Sequence, residues 1–184
     1  ADPNAVQRAR DGVATALTRD VEKGRLPAGG DATVLGRITF VEGVNNLAAF
    51  ADVGLALEAI VERLDAKKAL FAALETVVSD DAILATNTSS LPVAAIDSGC
   101  KRPERVVGVH FFNPAPVMPL VELVRGSETT DATADTVRAL SADLGKQVIV
   151  SADRPGFIVN RMLMPFLIEA MQVLEEGTAT ANDI

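Results

Sequence analysis

Histidine occurs once in this chain of 184 residues, cysteine occurs once, and a surplus of positive charge is absent. Each scarcity excludes something. The lone cysteine, Cys100, sits beside "KRPE" in a predicted loop, allows no internal disulfide and suits a reducing compartment. With 17 lysines and arginines against 25 acidic residues, the formal net charge of -8 argues against nucleic acid or an anionic membrane as a partner. No apolar run approaches the roughly 18 residues of a membrane span. The opening "ADPNAVQRARDG" lacks the basic and apolar regions of a signal peptide, so a cytoplasmic protein is expected. That opening also lacks a methionine and starts directly in a helical pattern, as if something had been cut away. Neither an internal repeat nor a low-complexity segment is visible. What is present, 48% hydrophobic and 23% charged residues, is enough for one well-buried domain and part of a second.

Residues 4–24 place Val6, Val13, Leu17 and Val21 at helical spacing, with Asn4 as the predicted N-cap. "LPAGGDATVLGR", 26–37, reads as an irregular turn-rich segment, and "ITFV", 38–41, as a short strand. "DVGLALEAI", 52–60, reads as a buried strand. The following "VERLDAKKALFAALETVV" reads as a helix packing through Leu64, Lys68, Phe71 and Leu74. Further strands are predicted in "DAILATNTS", "RVVGVHFF", "LVELVR" and "KQVIVSAD", with a short helix at "PVAAIDSG" and a longer one closed by Gly145. Apolar strands linked by helices predict an α/β fold around a parallel sheet covered on both faces. The loop "NPAPVMP", 113–119, is too short for a crossover helix, so the strands flanking it should be antiparallel. From Gly156 onward an apolar helix is predicted, kinked at Pro165, and a domain boundary near Arg154 divides the chain into 1–153 and 154–184.

The single histidine, His110, lies in the apolar "RVVGVHFF", where an imidazole costs free energy unless its ring nitrogens are satisfied. Pro116 is the centre of the loop that follows, and a symmetrical fold-back about it sets His110 opposite Glu122. Glu122 is itself a carboxylate in an apolar strand that needs a partner. A carboxylate beside an imidazole orients the ring and fixes its tautomer, as a general base requires; a purely structural ion pair gives the same pattern. A slip of one residue in register would separate the two. "TNTSS", 86–90, ends the neighbouring predicted strand, where open α/β sheets bind ligands, so Asn87 or Ser89 is a candidate to meet His110; ordinary turn chemistry explains the segment equally well. Asn160 and Arg161 are polar interruptions of the apolar "GFIVNRMLMPF".

"EAIVERLDAK", "TNTSSL", "VGVHFFNPAPVMPLVEL" and "DRPGFIVNRMLMPFLIEA", in this order and spacing, resemble the L-3-hydroxyacyl-CoA dehydrogenase family, above all its members acting on 3-hydroxybutyryl-CoA. The similarity spans essentially the whole chain. It implies a Rossmann-like dinucleotide-binding domain over 1–153 and the first helix of an all-helical, dimer-forming domain over 154–184. The implied reaction is reversible NAD-dependent oxidation of an L-3-hydroxyacyl-CoA to the 3-ketoacyl-CoA, in fatty-acid β-oxidation, with no metal. By resemblance His110 is the base, Glu122 its carboxylate partner, and Ser89 and Asn160 bond the substrate oxygens. Ala59, Glu62, Lys67, Asn87, Ser89 and Asn113 match positions at the cofactor, and Lys23 falls where some members bind coenzyme A phosphate. Ala16, however, stands where those members have serine. Related dehydrogenases of sugar acids such as L-gulonate share the histidine and glutamate, but "HFFNPAPVM" looks like the acyl-CoA side of that divide. The family's first βαβ unit, with its GxGxxG turn, has no counterpart in these residues. The resemblance therefore implies a chain that begins after that unit and stops early in the helical domain. A polypeptide of these residues alone is expected neither to bind NADH nor to oxidise substrate, and a non-catalytic fragment is the competing reading.

Overall fold

The structure is a computed structural model that describes residues 3–41 and 46–184. It comprises two compact units, 1–49 and 50–184.

The first unit is helical among its described residues. Helix α1 (Pro3–Glu22) begins one residue before Asn4, which is therefore inside the helix and not its cap. The segment expected to be irregular contains a second helix, α2 (Gly30–Leu35). Its glycines start that helix: Gly29 takes a left-handed φ of 78°, and a Cβ on Gly30 would come within 3.2 Å of Leu26 and Pro27. Residues 38–41 form no strand. Among the described residues the first unit offers no strand edge for them to pair with, and an unpaired strand leaves its backbone groups unmatched. Phe40 instead lies under the Arg10 guanidinium, 5.0 Å from the ring centre.

The second unit is built on one five-stranded sheet in the order β1-β2-β3-β4-β5. Its elements are β1 (Leu55–Glu58), α3 (Leu64–Glu75), β2 (Ile83–Thr86), α4 (Val93–Asp97), β3 (Val106–Phe111), β4 (Leu120–Arg125), α5 (Asp131–Asp143), β5 (Gln147–Ala152) and α6 (Val159–Glu175). β1, β2 and β3 run parallel, β4 is antiparallel to β3, and β5 is parallel to β4. The antiparallel pair has the register expected from the loop symmetry, with His110 facing Glu122. In α3 it is Lys67, with Phe71 and Leu74, that turns inward, while Leu64 is exposed; the buried stripe is one residue out of phase with the predicted one at its start. Pro165 lies inside α6, which continues unbroken through it.

Alternation along the strands separates two faces. Val107 and Val109 of β3 and Val121 and Leu123 of β4 pack with Ala134 and Val137 of α5 in one apolar cluster. The opposite face carries Gly108, His110, Glu122 and Val124. Gly108 allows a close approach there: a Cβ would stand 2.8 Å from Val124 Cβ and 3.0 Å from Val93 Cγ2 of α4. The first N–H groups of α4, at Val93 and Ala94, donate to the Asp153 carboxylate at 2.9 and 2.8 Å. At the other end of α4 the Asp97 side chain is buried, 4% exposed, and its Oδ2 has no partner among the described residues. Burial first, then the charges of Asp153 and Glu128, push its carboxyl up to about 6.

Candidate active site

His110 Nδ1 and Glu122 Oε2 lie 2.7 Å apart, with Glu122 fully buried at 0% exposed. With the glutamate ionised, Nδ1–H donates and Nε2 keeps its lone pair, so one hydrogen bond selects the tautomer. The Phe112 and Phe157 rings flank the imidazole, 4.5 and 5.8 Å away centre to centre. The second glutamate oxygen, Oε1, accepts the backbone N–H groups of Ile158 and Val159 at 3.0 and 2.9 Å. One carboxylate thus holds the histidine and the start of α6 together. The chain reaches this geometry through two consecutive left-handed residues, Gly156 (φ 75°) and Phe157 (φ 48°). For a phenylalanine that conformation costs roughly 1–2 kcal/mol, offset here by burial of its ring and by the bonds it permits.

Asn160 follows directly after Val159, and its Nδ2 donates to the carbonyl of Ser89 at 3.2 Å. Ser89, Gly156, Asn160, Arg161 and Met164 are among the residues lining a cleft of about 540 Å³. Asn87, at the end of β2, accepts the Phe111 N–H at 2.9 Å and so ties the serine-bearing loop to the residue next to His110. The structure thus links His110, Glu122, Asn87, Ser89 and Asn160 through direct bonds and short backbone steps.

A second polar cluster borders the Ser89 loop. Glu62 Oε1 accepts from the Thr88 hydroxyl at 2.5 Å, the Ser89 N–H at 3.0 Å and the Ser89 hydroxyl at 3.4 Å. Burial works to raise the Glu62 pKa, but the Thr88 hydroxyl, the Ser89 N–H and Lys67 outweigh it and hold the carboxyl below its ordinary value. Its other oxygen is 3.2 Å from Lys67 Nζ. Lys67 is 1% exposed and also donates to both oxygens of Glu58, at 2.8 and 2.9 Å. Glu58 is the residue the sequence reasoning passed over. The signal was present, because a glutamate ending the apolar "LAL" raises the same question as Glu122 within "LVELV".

The other candidates are more peripheral. Ala59 is exposed in the turn after β1. Asn113 is exposed at the start of the β3–β4 loop, which Lys146 clamps by donating to the carbonyls of Ala115 and Met118 at 2.6 and 2.9 Å. Lys23 is exposed just after α1, in the first unit. Ala59 and Glu62, whose side chain is 38% exposed, lie beyond the carboxyl end of β1, the end at which open α/β sheets bind ligands.

Parallel strands ending in a polar crevice, beside a carboxylate-oriented histidine, define an α/β protein of the dinucleotide-binding class. The comparisons make the class particular. Residues 1–154 match the family profile "3-hydroxyacyl-CoA dehydrogenase, NAD binding domain", and 156–184 match its C-terminal domain. The chain belongs to the 3-hydroxyacyl-CoA dehydrogenase family. It is 44% identical over 177 residues to a Mycobacterium tuberculosis 3-hydroxybutyryl-CoA dehydrogenase, covering 95% of this chain and 61% of that protein. The corresponding protein of Clostridioides difficile is 40% identical over 168 residues, 91% of this chain and 59% of its own. The crystal structure of (S)-3-hydroxybutyryl-CoA dehydrogenase from Ralstonia eutropha superposes with a TM-score of 0.92 at 39% identity, covering 100% of this chain and 64% of that one. The chain thus spans about three fifths of the length of the curated relatives it matches. No helix among the described residues is long and apolar enough to cross a membrane.

Proposed function

We propose that this chain carries the reacting groups of an NAD-dependent L-3-hydroxyacyl-CoA dehydrogenase whose substrate is 3-hydroxybutyryl-CoA. The observation that carries the reading is the 2.7 Å bond between His110 Nδ1 and the buried Glu122. In oxidation, Nε2 of His110 takes the proton of the 3-hydroxyl as hydride leaves C3, and the C3–O bond becomes a carbonyl. Glu122 keeps the ring in its orientation and faces the charge that develops on it. Asn160 and the Ser89 hydroxyl, turned from its long 3.4 Å contact with Glu62, donate hydrogen bonds to the hydroxyl and thioester oxygens at the cleft. NAD, when bound, supplies the hydride acceptor. Ala59, Glu62, Lys67, Asn87, Ser89 and Asn113 belong to its side of the crevice, and Lys23 to the coenzyme A phosphates. The reading also includes a division of the chain at 153/154, a cytoplasmic location and a homodimer formed through the helical segment. The exposed apolar side chains of α6, Met162, Phe166 and Met171 among them, support the dimer.

The test is NADH consumption by the complete protein with acetoacetyl-CoA. Steady turnover that His110→Gln abolishes is expected. A protein that binds NADH but leaves acetoacetyl-CoA unreduced would sink the reading.

A further inference from the structure

We propose that Glu58 is a positioning residue for this site: through Lys67 it fixes Glu62, and with Glu62 the backbone at Ser89. The inference rests on the reading above, in which Ser89 and Glu62 serve the reaction. Glu58 ends β1 with its side chain 2% exposed. Its carboxylate accepts from the Thr86 hydroxyl and, at 3.0 Å, from the Ile60 N–H, so it joins the ends of β1 and β2 to the turn that leads to Glu62. Lys67 Nζ divides its donors between the two acids and the Ile60 carbonyl, at 2.8 and 2.9 Å to Glu58, 3.2 Å to Glu62 and 3.4 Å to Ile60.

The division matters. Because Glu62 gives only Oε2 to the ammonium, Oε1 is left to accept from Thr88 and Ser89, and the Ser89 carbonyl accepts from Asn160. An unbroken chain of polar contacts therefore runs from a side chain inside the sheet to the lip of the cleft. A buried ion pair is a poor device for stability alone, since apolar residues of similar volume usually serve as well. Here the pair also sets where a third charge stands. With Glu58 neutral, the ammonium turns its freed donors to Glu62 and draws that carboxylate inward, away from the Ser89 N–H.

Amide hydrogen exchange of the complete protein reads this directly. In Glu58→Gln the Ser89 amide should exchange about tenfold faster or more, while the Leu123 amide of the sheet keeps its protection. Glu58→Gln combined with Lys67→Met guards against a variant that merely unfolds, because it removes both buried charges. The double variant should regain most of the wild-type melting temperature, yet leave the Ser89 amide fast and turnover roughly tenfold low. A double variant that recovers Ser89 protection and turnover together with its melting temperature would show the pair to be structural only. Wild-type Ser89 exchange in either variant would likewise overturn the proposal. Exchange needs no turnover, so a wild-type protein inactive on 3-hydroxybutyryl-CoA refutes the functional reading while the exchange result still decides the role of Glu58.

Discussion

Two glutamates sit inside this sheet with their charges buried, and they are solved differently. Glu122 meets a histidine across an antiparallel pair, and its spare oxygen caps α6. Glu58 meets a lysine that α3 folds back over β1, and its oxygens also accept from the Thr86 hydroxyl and the Ile60 N–H. The first partner is an imidazole held through one ring nitrogen, and the second is an ammonium shared with another acid. Asp97 completes the comparison as a buried acid that no cation among the described residues answers, and its carboxyl is pushed up to about 6. A buried carboxylate is therefore not a single signal. Its partner decides whether it fixes an imidazole, shares an ammonium with another acid or stands as a cost to the fold.

The largest effect should fall on the histidine pair. His110→Gln in the complete protein should lower kcat by ~10²–10⁴-fold with NADH binding little changed, because on the proposed reading only a general base is lost. Steady-state rates against an NADH titration check this, and turnover within a few-fold of wild type would reduce the pair to a structural one. Breaking the lysine pair should act on stability before chemistry: Lys67→Met leaves Glu58 unanswered and should destabilise by about 3–5 kcal/mol in urea unfolding. A loss below ~1 kcal/mol would mean that Glu58 finds another partner.

Smaller effects belong to the residues between the two pairs. Ser89→Ala and Asn160→Ala should each cost roughly tenfold or more in kcat/KM for the hydroxyacyl substrate, with NADH affinity held for Asn160→Ala and somewhat weakened for Ser89→Ala, whose side chain also serves the cofactor on the proposed reading. Asp97→Asn is the smallest change and the only one expected to stabilise. Because the folded carboxyl titrates at about 6 against an ordinary 3.8, folding binds a proton in that window. The Asp97 contribution is therefore most favourable below about pH 4, worsens as pH rises through 6 and stays unfavourable above it. The asparagine variant should gain about 1–2 kcal/mol at pH 7 and nothing at pH 4. Equal melting temperatures at pH 7 would show that Asp97 finds a partner in solution.

The sheet and its central pair were legible because both rest on local pattern. Short apolar runs located every strand of the second unit, and a loop centred on Pro116 set the register that brought His110 to Glu122. The errors gathered where pattern is weak. Helix α2 hid in a glycine-rich run, "ITFV" had the composition of a strand but no neighbour to pair with, and the inward face of α3 shifted from Lys68 to Lys67. That last shift concealed the Glu58 cluster, since the lysine that reaches the β1 carboxylate is Lys67 and not Lys68.

By itself the sequence determined the alternation of elements, the membership of the family and the pairing of His110 with Glu122. Each of these needs only neighbours along the chain or across one short hairpin. Tertiary structure alone decided that the spare oxygen of Glu122 caps α6, that Asn160 reaches the Ser89 carbonyl 71 residues away, and that Lys67 stands between two acids. These contacts join elements far apart in sequence, and hydrogen bonds and ion pairs depend on where packing delivers a side chain to within a few tenths of an ångström.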